Sequence, residues 1–297
     1  MSNRAVLSID FEPFASTPAY RRAAGTLDDP TVGLESSGFL RDLLATNNAT
    51  ATLFVVSAVA ESHPTPIERF ANAGHEIASH THTHALLSDL DESAREEEFE
   101  RSRSVLEDVT GQRVSGFRSP AFDLPDDHFE RLHAAGYTYD SSVVPCRSIP
   151  GWYGGKYDVE RPCPATRVDP NAPEGIVELP VGTMPGVRLP LTGTWLRFFG
   201  PRYTILGMKL LARRGITPVL YVHPWELVDL PPVEDVPKRV YWHTGAWMRR
   251  ALARILNAPF EFVTARTVVE DASETNENDR IGEPTTDTDD TPVSRQS

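Results

Sequence analysis

The chain has 297 residues, of which 40% are hydrophobic and 24% are charged, and its mean hydropathy is -0.33. These values exclude a disordered chain and a membrane-embedded one, and the length allows one large domain or two small ones. The net charge of -13 excludes nucleic acid as a default partner, because an acidic surface repels phosphate groups. Two cysteines, Cys146 and Cys163, are too few for a disulfide framework and fit reduced thiols in the cytoplasm.

Helix-like and strand-like segments alternate along residues 1–270. In chain order they are strand 5–9, helix 34–46, strand 50–57, helix 66–72, strand 76–79, helix 88–109, strand 114–118, helix 126–135, an extended piece at 139, an irregular loop at 151–173, strand 174–180, helix 201–214, strand 218–223, helix 245–256 and strand 260–264. This alternation predicts an α/β fold, in which helices cover a parallel sheet that is either open or closed into a barrel.

The two ends of the chain differ in character. Residues 1–8 lack the apolar run of a signal peptide, and no stretch of about 18 apolar residues occurs, so we expect a cytoplasmic protein without stable membrane insertion. Residues 271–297 contain eight acidic and two basic residues and no aromatic residue. Such a segment buries too little apolar surface to offset its ordering entropy. We therefore predict a catalytic domain over 1–270 and an acidic disordered tail over 271–297.

Polar clusters follow several of the predicted strands. They are Asp10 with Glu12, the run from His80 to His84, Arg118 with Pro120, and the run from His223 to Glu226. In parallel α/β folds the carboxyl ends of the strands meet on one face, where active sites form. The sequence therefore predicts that these clusters share a site.

The histidine cluster places His80, His82 and His84 within five residues. Imidazole is a common ligand for zinc and similar ions. If the chain turns into a helix or a loop after Ser79, positions 80 and 84 lie on one side and His82 points elsewhere; if it stays extended, all three face one way. We favour His80 and His84 as ligands, because a helical stretch is predicted from residue 85. A polar turn without metal is the alternative.

The carboxylates Asp10 and Glu12 face the same side of an extended strand. One can bind a metal while the other stays free as a base, and the residues alone leave open which does which. Two histidines and one carboxylate form a three-ligand site with open positions, which is typical of catalytic rather than structural sites. A helix cap or a surface ion pair is the simpler alternative for the two acids.

Two further residues complete the predicted chemistry. Arg118, at a strand end, can hold a nearby carboxylate ionised and oriented, unless it forms an ordinary surface ion pair. His223 can protonate a leaving amine, because an imidazole titrates near neutral pH, unless it is a core histidine bonded to the backbone. Trp225 and Glu226 are placed either to contact substrate or to orient His223.

Five segments together resemble a known family, the polysaccharide deacetylases with a NodB-homology domain, or carbohydrate esterase family 4. They are Ser-Ile-Asp-Phe-Glu at 8–12, Gly-His-Glu-Ile-Ala-Ser-His-Thr-His-Thr-His at 74–84, Gly-Phe-Arg-Ser-Pro at 116–120, Tyr-Asp-Ser-Ser-Val-Val-Pro at 139–145 and Tyr-Val-His-Pro-Trp-Glu at 221–226. The resemblance covers residues 5–265. The Tyr-x-His-Pro-Trp-Glu form is similar to a subgroup associated with exopolysaccharide and glycan loci.

The resemblance implies a distorted (β/α) barrel of about seven units and a divalent metal, for which we expect zinc, with cobalt, nickel and iron as alternatives. It implies His80 and His84 as ligands, Asp10 as general base, Arg118 as its partner and His223 as general acid. Phe11 stands where the familiar form has a second aspartate, and the variant with an acid two positions on assigns Glu12 as the third ligand.

We assign Pro120, Trp225 and Tyr139, which lie within these motifs, to substrate binding. The hypothesis is a metal-dependent hydrolase that removes an N-acetyl group from an amino sugar in a polysaccharide, oligosaccharide or glycan precursor. Its expected partner is an N-acetylated carbohydrate, and the oligomeric state is left open. The alternatives are an amidase acting on a small non-sugar amide, an inactive glycan-binding relative, and an unrelated metal hydrolase barrel.

Overall fold

The computed structural model describes residues 3–149 and 154–281. The described residues form one sheet of nine strands. These are β1 (Arg4–Phe11), β2 (Thr52–Val55), β3 (Glu76–Ser79), β4 (Gly116–Phe117), β5 (Tyr139–Asp140), β6 (Cys163–Pro164), β7 (Val177–Glu178), β8 (Val219–Val222) and β9 (Glu261–Val263). All of the strand pairs are parallel except β6 with β7, as expected where helices connect successive strands.

Helices connect most of the strands and cover the outside of the sheet. They are α1 (Pro18–Arg21), α2 (Ser37–Thr46), α3 (Ser57–Ser62), α4 (Pro64–Asn72), α5 (Glu92–Thr110), α6 (His128–Ala134), α7 (Gly193–Phe199), α8 (Pro201–Arg213), α9 (Ala246–Leu256) and α10 (Ala265–Ile281). The longest, α5, begins after Asp91, whose side chain accepts a hydrogen bond from the Ala94 amide, and ends at the left-handed Gly111.

The sheet curls into a distorted barrel. Its strand order is β6-β7-β5-β4-β3-β2-β1-β8, and β9 pairs with the first residues of β1. The gap between β7 and β8 is bridged by the segment after β7, because the Gly182 amide donates to the Val219 carbonyl and Thr192 pairs with Tyr221. The predicted α/β barrel fold class is confirmed.

Alternation along the strands separates an inner from an outer core. In β1, Leu7 and Ile9 pack outward among the helices, whereas Val6 belongs to a separate inner cluster. The first turns of α10 join that inner cluster and close the amino end of the barrel through Val268 and Val269. With the amino end covered by α10, the carboxyl end is the one at which a cleft opens.

The structure differs from the predicted elements at α1, α3, α7 and α10, none of which was predicted. The predicted strand 50–57 ends at Val55, and the next residues turn into α3 because the Ser57 and Ala58 amides bond to the carbonyls of Thr81 and His82. These partners lie far away in sequence, so local pattern could not reveal the helix start.

The proposed tail boundary falls inside a helix. α10 continues to Ile281, past residue 270, and the Arg4 side chain pairs with Asp271. The rest of the predicted tail, 282–297, lies outside the described residues, as does the start of the predicted loop 151–173. Within the described ranges, no helix has the length and apolar character needed to cross a bilayer.

Candidate active site

The carboxyl ends of β1, β3, β4 and β8 meet at one cleft with a volume of about 480 Å³. Asp10 and Glu12 come from the end of β1, His80 follows β3 and His223 follows β8, and all four line the cleft. Arg118 follows β4 and is fully buried behind Asp10. The structure therefore brings together the clusters that the sequence placed at separate strand ends.

Arg118 holds Asp10 in a fixed orientation. Its Nη1 donates to Asp10 Oδ1 at 2.6 Å and to the Ser8 hydroxyl at 2.9 Å. Its Nε donates to the Ser141 carbonyl and its Nη2 to the Ser141 hydroxyl. Because both side chains are buried, each offsets part of the cost of burying the other, and the hydrogen bonds hold the carboxylate in one orientation.

Glu12, His80 and His84 can hold a metal ion. One ligand atom from each lies within 4.8 Å of the other two, and all three residues are buried. His80 Nδ1 lies 2.7 Å from the Arg118 carbonyl and donates to it, which leaves Nε2 free to face the cleft. This carbonyl contact is the type of outer support that orients metal-bound histidines.

The contact between Glu12 and His84 tests whether this set fits an ion. Glu12 Oε2 is buried and lies 2.7 Å from His84 Nε2. An ion shared by the two atoms would satisfy both, so the residues present fit a divalent metal. The site holds one carboxylate and two imidazoles, which suits zinc and its neighbours alike.

The segment between His80 and His84 is a loop, one of the two forms in which positions 80 and 84 were expected to lie on one side. Thr81 and His84 have left-handed backbone conformations, with φ of 64° and 60°. Glu98 of α5 stabilises the loop, because its carboxylate accepts hydrogen bonds from the amides of residues 82 and 83. Through this loop the favoured histidine pair meets at the site.

His82 turns away from the other two histidines. Its Nδ1 lies 2.8 Å from the Ser57 hydroxyl, at the start of α3. Glu98 lies in a run of acidic residues on α5, and its side chain is buried beneath the loop.

His223 is supported by two buried charges. Glu226 Oε2 lies 3.3 Å from His223 Nδ1 and accepts the His223 amide at 3.0 Å, and Arg197 Nε donates to Glu226 Oε1 at 2.8 Å. A Cβ at Gly193 would lie 1.9 Å from Glu226 Oε2, so only glycine leaves room for this carboxylate. The other ring nitrogen, Nε2, lies 3.8 Å from Glu12 Oε1, which belongs to the set of candidate metal ligands.

The charges in the cleft shift its pKa values in different directions. Burial raises the pKa of Glu12, but the charges of His84 and His223 outweigh it and lower the value to about 2. Burial lowers the pKa of His80 to about 4, which keeps this ring neutral, as a metal ligand must be. Burial also lowers the pKa of His223, but Glu226 outweighs it and raises the pKa above its usual value.

The three residues assigned to substrate binding have different positions. Trp225 lines the cleft; its ring stacks on His223 at 4.9 Å, and its Nε1 donates to Glu12 Oε1 at 3.4 Å. Pro120 is buried below the turn that it starts, and the next residues of that turn line the cleft in its place. Tyr139 is 1% exposed and bonds to Glu76 at the amino end of β3, inside the barrel. Pro120 and Tyr139 are therefore corrected to supporting positions.

Sequence reasoning missed Arg197 and the role of Ser141. Arg197 is 3% exposed and binds Glu226, but it lies in none of the motifs that the sequence presents. Ser141 was quoted only as part of a motif, and no local signal connects it with Arg118, 23 residues earlier.

Two protein-family models match two consecutive parts of the sequence. Residues 18–139 match the family model "Polysaccharide deacetylase", and residues 141–270 match a domain of unknown function, DUF3473. The match confirms the resemblance inferred from the motifs, whereas the Tyr-x-His-Pro-Trp-Glu subgroup stays a prediction.

Two curated relatives match part of the chain. A peptidoglycan-N-acetylglucosamine deacetylase of Bacillus cereus is 30% identical over 119 residues, which is 39% of this chain and 43% of that protein. A chitooligosaccharide deacetylase of Rhizobium leguminosarum bv. trifolii is 34% identical over 70 residues, which is 24% of this chain and 33% of that protein. The chain thus spans less than half the length of these relatives.

Two solved structures share the whole fold. A Mycobacterium smegmatis protein described as a polysaccharide deacetylase is 23% identical, with a TM-score of 0.61 over 93% of this chain and 92% of that one. The allantoinase PuuE is 16% identical, with a TM-score of 0.62 over 92% of this chain and 91% of that one. At these identities the likeness extends to the fold alone.

Proposed function

We propose that the chain is a member of the polysaccharide deacetylase family, whose model matches residues 18–139, and that it is a metal-dependent hydrolase that releases acetate from an N-acetylated amino sugar. The observation that carries the proposal is the meeting, in one cleft, of a three-residue ligand set, a fixed carboxylate and a supported histidine. The relatives named for peptidoglycan and chitooligosaccharide deacetylation support the class of substrate.

The metal would be held by Glu12, His80 and His84, with zinc as the expected ion and cobalt, nickel or iron as alternatives. When bound, such an ion lowers the pKa of water and polarises the acetyl carbonyl. The neutral His80 and the ionised Glu12 are already in the protonation states that ligands need. The cluster therefore needs no proton release from these two groups to bind an ion at neutral pH.

Asp10 is the group proposed to take the proton from the attacking water. Arg118 engages Oδ1, so the carboxylate accepts the proton at its other oxygen. The arginine also keeps the carboxylate in one orientation, and a general base must lie within hydrogen-bond reach of the proton that it removes.

His223 is the group proposed to protonate the departing sugar nitrogen. Glu226 holds Nδ1, so Nε2 points into the cleft and carries the proton to be transferred. The raised pKa of His223 keeps part of the population protonated at neutral pH. The C–N bond of the amide breaks as the nitrogen gains this proton, and the products are acetate and the free amine.

The test is acetate release from N-acetylated chitooligosaccharides by the metal-loaded protein. We expect Asp10→Asn to lower kcat at least about 100-fold and His80→Ala to lose both activity and bound metal. His82→Gln is the matched control: it lies in the same loop, faces Ser57 and should keep activity within a few-fold.

Two outcomes would contradict the proposal. Near-normal turnover in Asp10→Asn or His80→Ala would remove their roles, and a purified chain that binds glycan without metal or turnover would indicate an inactive relative. Assaying allantoin in parallel separates a small-amide hydrolase from a sugar deacetylase.

A further inference from the structure

Acidic residues are absent from two long stretches of this acidic chain. The chain has 42 acidic residues among 297, but residues 179–225 contain six basic residues and no acidic one, and residues 236–260 contain five basic residues and no acidic one. The helices α7, α8 and α9 come from these stretches, and α8 packs against both of the others on the outside of the barrel. The fold therefore gathers the acid-free parts of the sequence in one place.

One side of α8 is open to solvent and carries both basic and apolar side chains. Arg202, Leu206, Lys209 and Arg213 are exposed, and their spacing of three or four residues places them along one side of the helix. Phe199, which lies two residues before α8 begins, is 50% exposed, and Leu206 is 51% exposed. We call these five residues the α8 face.

The basic side chains of the α8 face have no acidic partner. Within residues 3–149 and 154–281, the side chains of Arg202, Lys209 and Arg213 form neither an ion pair nor a hydrogen bond. Arg214, just past the end of α8, differs from them because it lies 3.9 Å from Glu160. The positive charge of the α8 face is therefore available to an anionic partner.

Large apolar side chains are rarely exposed in this protein, and those that are exposed concentrate near α8. The exposed ones in the described part of the chain are Val187, Phe199, Leu206 and Trp242. Two of these belong to the α8 face, and a third, Trp242, is 56% exposed and contacts Phe198 of α7 with ring centroids 5.9 Å apart. Because such side chains are mostly buried in folded proteins, their clustering on one surface indicates an interaction site.

We propose that the α8 face docks on a lipid bilayer with anionic headgroups, with α8 lying in the plane of the interface. The three cations pair with lipid phosphate groups, while Phe199 and Leu206 enter the apolar boundary below them. An uncharged glycan offers the cations no partner, and a nucleic acid backbone leaves an aliphatic side chain such as Leu206 in water. A bilayer surface accommodates both kinds of side chain, and the inference does not depend on the proposed function.

The test is sedimentation of the full chain with vesicles of phosphatidylcholine alone or of phosphatidylglycerol and phosphatidylcholine in equal parts. We expect binding only to the vesicles that contain phosphatidylglycerol, and we expect salt at about 0.5 M to abolish it by screening. A triple variant, Arg202→Gln, Lys209→Gln and Arg213→Gln, should lower the partition coefficient about 100-fold, because each basic residue near an anionic surface contributes about fivefold. Leu206→Ser should lower it about fivefold through lost apolar contact.

The matched control is a second triple variant, Arg69→Gln, Arg101→Gln and Arg113→Gln, which removes three exposed cations from α4, α5 and the segment before β4. It should bind within about twofold of wild type, because screening confines each charge to its own surroundings.

Equal loss in the two triple variants, or equal binding to both kinds of vesicle, would overturn the inference. A wild-type chain that binds neither kind of vesicle would also overturn it. In that case retention of a DNA oligonucleotide that depends on Arg202, Lys209 and Arg213 would indicate a nucleic acid partner. Dimers in sedimentation velocity that are lost in Leu206→Ser would instead indicate a second copy of the chain.

Discussion

Replacing Arg118 by methionine should destabilise the folded protein severely. The arginine is fully buried and donates hydrogen bonds to Asp10, to the Ser8 hydroxyl and to both the carbonyl and hydroxyl of Ser141. Methionine fills part of the same volume but supplies no donor. The Asp10 carboxylate, whose side chain is 5% exposed, would then be left without its charged partner.

The size of the effect follows from this burial. Breaking a buried ion pair by removing one partner costs about 3–5 kcal/mol of unfolding free energy, because an uncompensated charge stays inside. Changing Asp10 to Asn in the same variant removes the stranded charge, so we expect at least about half of the loss to be recovered. Arg101→Met is the matched control, because Arg101 is 46% exposed and its pairs with Glu61 and Glu97 are worth less than about 1 kcal/mol.

Urea unfolding followed by circular dichroism measures these differences. The protein is first treated with a chelator, because a bound ion stabilises the folded state by mass action and would mask the comparison. An Arg118→Met variant within about 1 kcal/mol of wild type would refute the reasoning, as would an Asp10→Asn change that makes that variant less stable still.

Two further variants test other buried contacts. Burial and the Asp140 carboxylate raise the pKa of Glu178 well above its usual range. The folded state therefore binds this proton more tightly than the unfolded state does. The free energy of unfolding falls as the pH rises from the usual glutamate pKa towards the raised one. Glu178→Gln cannot titrate, and its melting temperature should exceed that of wild type increasingly between pH 5 and 9; parallel curves would contradict this. Trp225→Phe keeps an aromatic ring beside His223 but loses the hydrogen bond to Glu12, so metal affinity measured by competition with a chelator should fall up to about tenfold. Unchanged affinity would show that this hydrogen bond does not support the ligand.

The histidine loop illustrates how far the sequence could be interpreted. The sequence favoured His80 and His84 over His82, and the structure brings that pair to Glu12 through a loop. The loop depends on Glu98, whose burial is not indicated by the charged residues around it in the sequence. Local periodicity cannot reveal a carboxylate buried by another segment.

Tyr139 and Arg197 were misjudged for a related reason. Tyr139 lies in a motif beside reactive residues, but β5 points its side chain towards Glu76 at the opposite end of the barrel. Arg197 lies in no motif, and it reaches the site only because α7 packs against β8 and brings it to Glu226. Proximity in sequence and proximity in space diverge wherever a helix crosses the end of the sheet.

The sequence by itself indicated the alternation of strands and helices. From that alternation follows the prediction that the polar residues after the parallel strands lie at one edge of the sheet. The sequence also indicated the residue types that we propose as ligand, base and acid, because imidazole and carboxylate chemistry belongs to the residues themselves. Only the tertiary structure decided which side chains reach the cleft, that Glu12 rather than Asp10 stands with the histidines, and that exposed rings continue beyond it. Those outcomes depend on contacts between segments far apart in the chain, and their energies arise only once the barrel has excluded water from between them.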